Sequence, residues 1–261
     1  KLNELERRSK EAQSAARVLK LETGPFNWYL IEESGALTLV DAGFPGHYAI
    51  LERGLSQLGY DIASIKGIVL THAHADHTGF AWRVHMETGA PIFVHEAEQA
   101  KARRVLQLPW ATLVGNAWRP WGTSILMRAT RAGIFRCTRI AEARTVMGGE
   151  TLDLPGSPRV IATPGHTPGH VSYAFDRIRA LLAGDALLTQ SLVTGRAHKP
   201  GEPAPGFNMD HLQAVRSARS LLELDGYELF PGHGSPSLIG GAGNKDTAAI
   251  DRVGRSRRKS A

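Results

Sequence analysis

Short apolar runs alternate with amphipathic stretches along most of the chain. Residues 26–32 and 36–40 are rich in aromatic and branched side chains and are separated by Ser34-Gly35, which predicts two strands joined by a turn. Ile50, Leu51, Leu55 and Leu58 recur at helical spacing until Gly59, and 65–70 reads as a short apolar strand. A helix over 79–88, a buried strand over 91–94 and a helix over 96–106, stopped by Pro109, continue the rhythm. The second half predicts strands over 159–162, 171–175, 180–183 and 228–230. Between the last two of these, 210–224 carries Leu212, Val215, Ala218, Leu221 and Leu222 on one helical face. Strands alternating with helices predict a layered α/β fold. Residues 1–25 read as an N-terminal helical extension, 26–240 as one folded domain, and 241–261 as a basic, mobile tail.

Composition narrows the classes. No apolar run approaches the roughly 20 residues that span a bilayer, so no membrane role is expected. The single cysteine, Cys137, excludes an internal disulfide and any multi-cysteine metal site, so metal chemistry would have to use histidines and carboxylates. The net charge of +6 comes from the two ends, +2 over residues 1–22 and +4 over 245–261, which removes it as a nucleic-acid signal for the body of the chain. Within that body, 101–144 carries nine basic residues against one acid, Glu142. No secretory signal is visible, so a cytoplasmic protein is expected; a first residue of Lys leaves a removed N-terminal segment open.

The polar residues at the predicted strand ends are chemically suggestive. His72-Ala-His74-Ala-Asp76-His77 sets three imidazoles and a carboxylate within six residues directly after an apolar strand, and each is a ligand type for first-row metals. His72 and His74 can point one way from an extended segment, while Asp76 and His77, at the start of the next helix, can turn to a second position. Before this run Asp41 stands in Leu39-Val-Asp41-Ala-Gly43, and after it His166 stands in Thr163-Pro-Gly-His166-Thr-Pro-Gly-His170, Asp185 in Ala183-Gly-Asp185, and His233 in Pro231-Gly-His233-Gly234. In layered α/β folds, ligands bind beyond strand ends, where all of these stand.

Five motifs in this order resemble the metallo-β-lactamase-fold superfamily over 26–235. The resemblance implies a four-layer αββα sandwich. It also implies that His72, His74 and His166 bind the first of two divalent metal ions, that Asp76, His77 and His233 bind the second, and that Asp185 bridges them. Asp41 would support a ligand imidazole from behind. The nitrogen and oxygen donors suit Zn2+ and also admit Fe, Mn or Co. A hydroxide shared by the ions would attack the scissile carbonyl while Asp76 shuttles the proton, making Asp76 and Asp185 the expected catalytic residues. β-Lactamases of this fold place Cys or Ser where this chain has Asp185, which directs the resemblance to its lactonases and glyoxalase II-type thioesterases.

The region 101–144 is expected to form a lid over the metals. Its Trp110, Trp118, Trp121, Ile125, Leu126 and Met127 suit an acyl-chain pocket or simple packing, and Arg128 and Arg131, one helical turn apart, suit a substrate carboxylate or a solvated face. Trp118, Trp121, Met127, Arg128, Arg131 and His198 are the expected substrate contacts. His170 is expected to be structural, and His47 to lie near the rim. The leading expectation is a hydrolase that opens a lactone or carboxylic ester, similar to the acyl-homoserine lactonases of this fold. The alternatives are a glyoxalase II-like thioesterase and a mononuclear iron persulfide dioxygenase. The expected partner is a small-molecule substrate, with neither nucleic acid nor membrane, and a homodimer is left open by the lid aromatics.

Overall fold

The computed structural model describes residues 16–21, 23–104, 114–240 and 251–253. In chain order its main elements begin with strands β1 (Arg17–Leu21), β2 (Tyr29–Glu33) and β3 (Ala36–Val40), then helix α1 (Tyr48–Leu58) and strand β4 (Ile65–Val69). Two helices, α2 (Ala75–Thr78) and α3 (Ala81–Thr88), lead to β5 (Ile92–His95), α4 (Glu96–Ala102), α5 (Pro120–Arg131) and β6 (Arg144–Val146). The second half contains β7 (Arg159–Ala162), β8 (Val171–Phe175), β9 (Ala180–Gly184), β10 (Leu188–Gln190) and β11 (Ala197–Gly201). It ends with α6 (His211–Leu222), β12 (Glu228–Pro231), β13 (Ser237–Leu238) and β14 (Asp251–Val253).

Two sheets face each other. One runs β14-β1-β2-β3-β4-β5-β6, the other β13-β12-β9-β8-β7, and β10 and β11 form a separate hairpin. Alternation along the strands builds three stacked cores. Tyr29 and Ile31 of β2 meet Tyr173 and Phe175 of β8 between the sheets. Leu30 and Leu39 point the other way, into a core closed by Tyr48 and Leu51 of α1 and Val84 of α3. On the far side, Ala174 and Leu181 pack on Ala218 and Leu221 of α6. Helices, sheet, sheet, helix: this is the αββα sandwich, and both sheets are buried on both faces, which is why their strands read as continuous apolar runs.

Two segment expectations change. Residues 17–21 form a strand and not part of a helical extension: Val18 enters the inter-sheet core while Leu19 and Leu21 enter the helix-side core, a period of two. The folded domain therefore includes residues 17–21, before the expected boundary at 26. Within the expected mobile tail, 251–253 pair in parallel with β1; residues 1–15, 241–250 and 254–261, like Trp110, lie outside the described residues. Among the described residues no helix is long and apolar enough to cross a membrane. The unpredicted β6 and the β10–β11 hairpin carry few buried side chains, so no apolar period marked them.

Candidate metal centre

β3 and β4 run in parallel and end side by side, and β12 and β9 do the same in the other sheet. Asp41 follows β3 at φ 58°, a left-handed conformation that is costly for a residue with a Cβ. Its carboxylate offsets that cost by accepting the Thr71 amide at 2.8 Å and the Thr71 hydroxyl at 2.9 Å. The same carboxylate takes His77 Nδ1 at 2.8 Å. His77 therefore donates from Nδ1 and turns Nε2 toward the centre. His72 Nδ1 lies 3.1 Å from Thr71 Oγ1, whose own proton goes to Asp41, so His72 also presents Nε2. On the opposite wall His233 Nδ1 donates to the Pro25 carbonyl at 2.6 Å.

The loop ends thus bring seven donors together. His72 Nε2 is 2.9 Å and His166 Nε2 3.0 Å from His74 Nδ1. Asp76 Oδ2 lies 3.5 Å from His233 Nε2 and 3.8 Å from His77 Nε2. Asp185 stands between these groups, its oxygens 3.6 Å from His77 Nε2 and 3.5 Å from both His166 Nε2 and His233 Nε2. The geometry supports sets of one ligand atom each from His72, His74 and His166, from His72, His77 and Asp185, and from Asp76, His77 and His233. Gly232 allows this closeness, because a Cβ there would overlap Asp185 Oδ1.

The electrostatics suit a cation. Burial, reinforced by neighbouring imidazoles, pushes His72 well below its ordinary value and His74 to about 3; burial also lowers His166. Each neutral imidazole has one nitrogen lone pair to offer, and three such rings converging at about 3 Å suit a shared cation. Burial opposes charge on His77 and His233 too, but Asp41, Asp76 and Asp185 override it for His77, which rises to about 9, and Asp185 and Asp76 raise His233 well above its usual range. Against burial, His233 and His77 hold the Asp185 carboxyl far down, and the same pair, with His77 the larger influence, brings Asp76 to about 2. The carboxylates thus demand positive charge from two imidazoles, and a divalent ion would meet that demand while leaving both nitrogens as ligands. Asp185 Oδ1, buried without a hydrogen-bond partner, fits the same reading.

Several supporting groups had no sequence signal. Glu98 of α4 is fully buried and accepts the Ala73 amide at 3.1 Å and the Gly169 amide at 3.0 Å, clamping the histidine loop of one sheet to that of the other. Nothing in 96–106 marked that glutamate apart from its neighbours on an amphipathic helix. His170 accepts the Asp185 amide on Nε2 at 3.0 Å and meets Thr163 Oγ1 through Nδ1 at 2.8 Å, so its ring is engaged away from the donor cluster.

A cavity of about 130 Å3 opens directly over His74, Asp76, His166, Asp185 and His233. Its other walls are mainly apolar: Phe26, Phe44, Ile125, Leu126, Ile134 and Phe207 are among them. None of the six expected substrate contacts lines it. Trp118 is 75% exposed and donates to the Gly115 carbonyl, Trp121 packs against Gly195, and His198 is exposed beside Lys199. Met127, Arg128 and Arg131 face a neighbouring cleft. The helical period explains this placement: Gly122, Ile125, Leu126 and Ala129, spaced i, i+3, i+4 and i+7, turn toward the cavity, and the basic stripe lies two residues, about 200°, around α5.

Comparison with known proteins agrees with this arrangement. The family model of the metallo-beta-lactamase superfamily matches residues 22–233. The chain is similar to the probable metallo-hydrolase YflN of Bacillus subtilis, at 30% identity over 80% of this chain and 81% of that one. It is more distantly similar to the N-acyl homoserine lactonase AttM of Azorhizobium caulinodans, at 26% identity over 67% of this chain and 60% of that one. Among solved structures, TTHA1623 in a di-iron-bound form superposes with a TM-score of 0.57 at 25% identity, covering 82% of this chain and 90% of the other. By family model, curated relative and the converging histidines and aspartates, the chain belongs to the metallo-β-lactamase superfamily and is one of its metallo-hydrolases.

Proposed function

We propose that this metallo-hydrolase is dinuclear and opens lactones or carboxylic esters whose acyl part is apolar. The observation that carries the reading is the mainly apolar cavity seated on the donor cluster, whose polar groups are concentrated at its metal-facing floor. His72, His74 and His166 would hold one ion, Asp76, His77 and His233 the other, with Asp185 shared. Bound there, two divalent ions would polarise a carbonyl and make water nucleophilic near neutral pH. The side chain of Asp76, 15% exposed at the cavity floor, is placed to take a proton and return it to the departing alkoxide. Phe26, Phe44, Ile125 and Leu126 would hold the acyl part and exclude water from it. The similarity to a lactonase supports the same substrate class. The thioesterase alternative drew on a basic lid, and Arg128 and Arg131 turn away from this cavity.

The test is the initial rate of the zinc-loaded protein on a medium-chain acyl-homoserine lactone, beside S-lactoylglutathione. A lactone kcat/KM of about 10⁴ M⁻¹s⁻¹ or more, with losses of at least about 100-fold in His74→Ala and Asp185→Asn, is expected. Preference for the thioester would overturn the substrate class. Full activity in both variants would overturn the assignment of the donors.

A further inference from the structure

The outer stripe of α5 borders a second cleft, of about 410 Å3, which shares only Phe26 with the cavity over the metal donors. Its walls include His47, Ser124, Met127, Arg128 and Arg131. Ser124, Met127, Arg128 and Arg131 are spaced i, i+3, i+4 and i+7, so one helical face aims two guanidinium groups at one space. Among the described residues neither arginine has a carboxylate within ion-pairing distance; the hydrogen bond found for them is Arg128 Nε to Ser124 Oγ at 3.3 Å, which leaves the Ser124 hydroxyl proton free. The opposite wall offers a third donor. His47 is only 6% exposed, and its Nδ1 accepts the Phe44 amide at 3.2 Å, so the ring proton sits on Nε2. That Nε2 has no protein partner among the described residues. The ring's seat is specific: Gly43, at φ 39°, has no Cβ because one would overlap His47 Nδ1 and the Trp28 indole.

We propose that this cleft is an anion site, taking a carboxylate or phosphate group of a small molecule between Arg128, Arg131, Ser124 and the Nε2–H of His47. Two guanidinium forks with no carboxylate partner among the described residues, a hydroxyl and a fixed-tautomer imidazole are donors to an oxyanion and offer a cation nothing. The site is separate from the lactone or ester reading and stands whether or not that reading holds.

Calorimetric titration of the full chain with inorganic phosphate and with acetate, at low ionic strength, tests the assignment. The Asp185→Asn variant separates this cleft from anion binding at the metal centre. Saturable binding is expected with Kd raised at least about tenfold in both Arg131→Gln and His47→Phe, and unchanged within about twofold in Asp185→Asn. The preferred anion distinguishes a phosphate from a carboxylate ligand. Because Arg131 is exposed, its loss leaves the fold intact and gives a clean reading should His47→Phe disturb the loop. The proposal falls if Arg131→Gln binds both anions as the unaltered protein does, if Asp185→Asn abolishes binding, or if neither anion saturates below about 50 mM.

Discussion

Asp41 and His47 stand on one loop and show two uses of a buried polar side chain. Asp41 accepts four hydrogen-bonding contacts from Thr71 and His77, and that satisfaction keeps a left-handed aspartate and an oriented imidazole in place. His47 stays neutral: burial lowers it to about 4, with the Asp76 carboxylate only partly opposing. Its ordinary value is about 6.5, so between pH 6.5 and 4 the unfolded chain takes up a proton that the folded chain refuses. Stability present above pH 6.5 is therefore lost as pH falls through that window, by up to about 3 kcal/mol. Urea midpoints should fall more steeply from pH 7 to 4.5 in the unaltered protein than in His47→Gln; parallel profiles would show that the ring protonates without cost.

At the scale of elements, α5 is a partition with two faces. Gly122, Ile125, Leu126 and Ala129 close the cavity over the metal donors, while the basic stripe closes the anion cleft. The residue types alone pointed to the tryptophans and arginines as substrate contacts, because large aromatics and guanidinium groups dominate recognition in general. In the structure those side chains lie outside the cavity over the metal donors. Leu126→Ala should lower kcat/KM for long acyl chains by about tenfold more than for short ones, since the removed, partly exposed side chain takes about 1.4 kcal/mol of apolar contact with it. Trp118→Ala, 75% exposed and outside the cavity, should leave the chain-length profile within about twofold. A chain-length series on both variants reads this directly.

For the molecule as a whole, the donor cluster is also a fastening between the sheets. His72, His74, Asp76 and His77 follow β4, whereas His166, Asp185 and His233 come from the loops of the other sheet, and Glu98 ties the two loop systems. A metal ion held by residues of both sets would bind the folded state in preference to the unfolded one. Chelation should therefore lower the melting temperature by on the order of 10 °C from that in a thousandfold excess of metal over Kd, and re-addition should restore it. An unchanged melting curve would mean that the donors do not fasten the sheets. Much of this architecture was legible beforehand. Short apolar runs marked the central strands of both sheets, and the strand-end motifs singled out the seven donors and Asp41, because those residues are local in sequence and chemically unmistakable. What the sequence by itself determined was which segments bury and which side chains carry ligand atoms. Tertiary structure decided which way α5 turns, which buried carboxylate clamps the loops, and that residues 17–21 complete a sheet instead of a helix. Those outcomes depend on partners more than ten residues away, Glu32 and Ile31 for β1 and Gly169 for Glu98, and no local period encodes a distant partner.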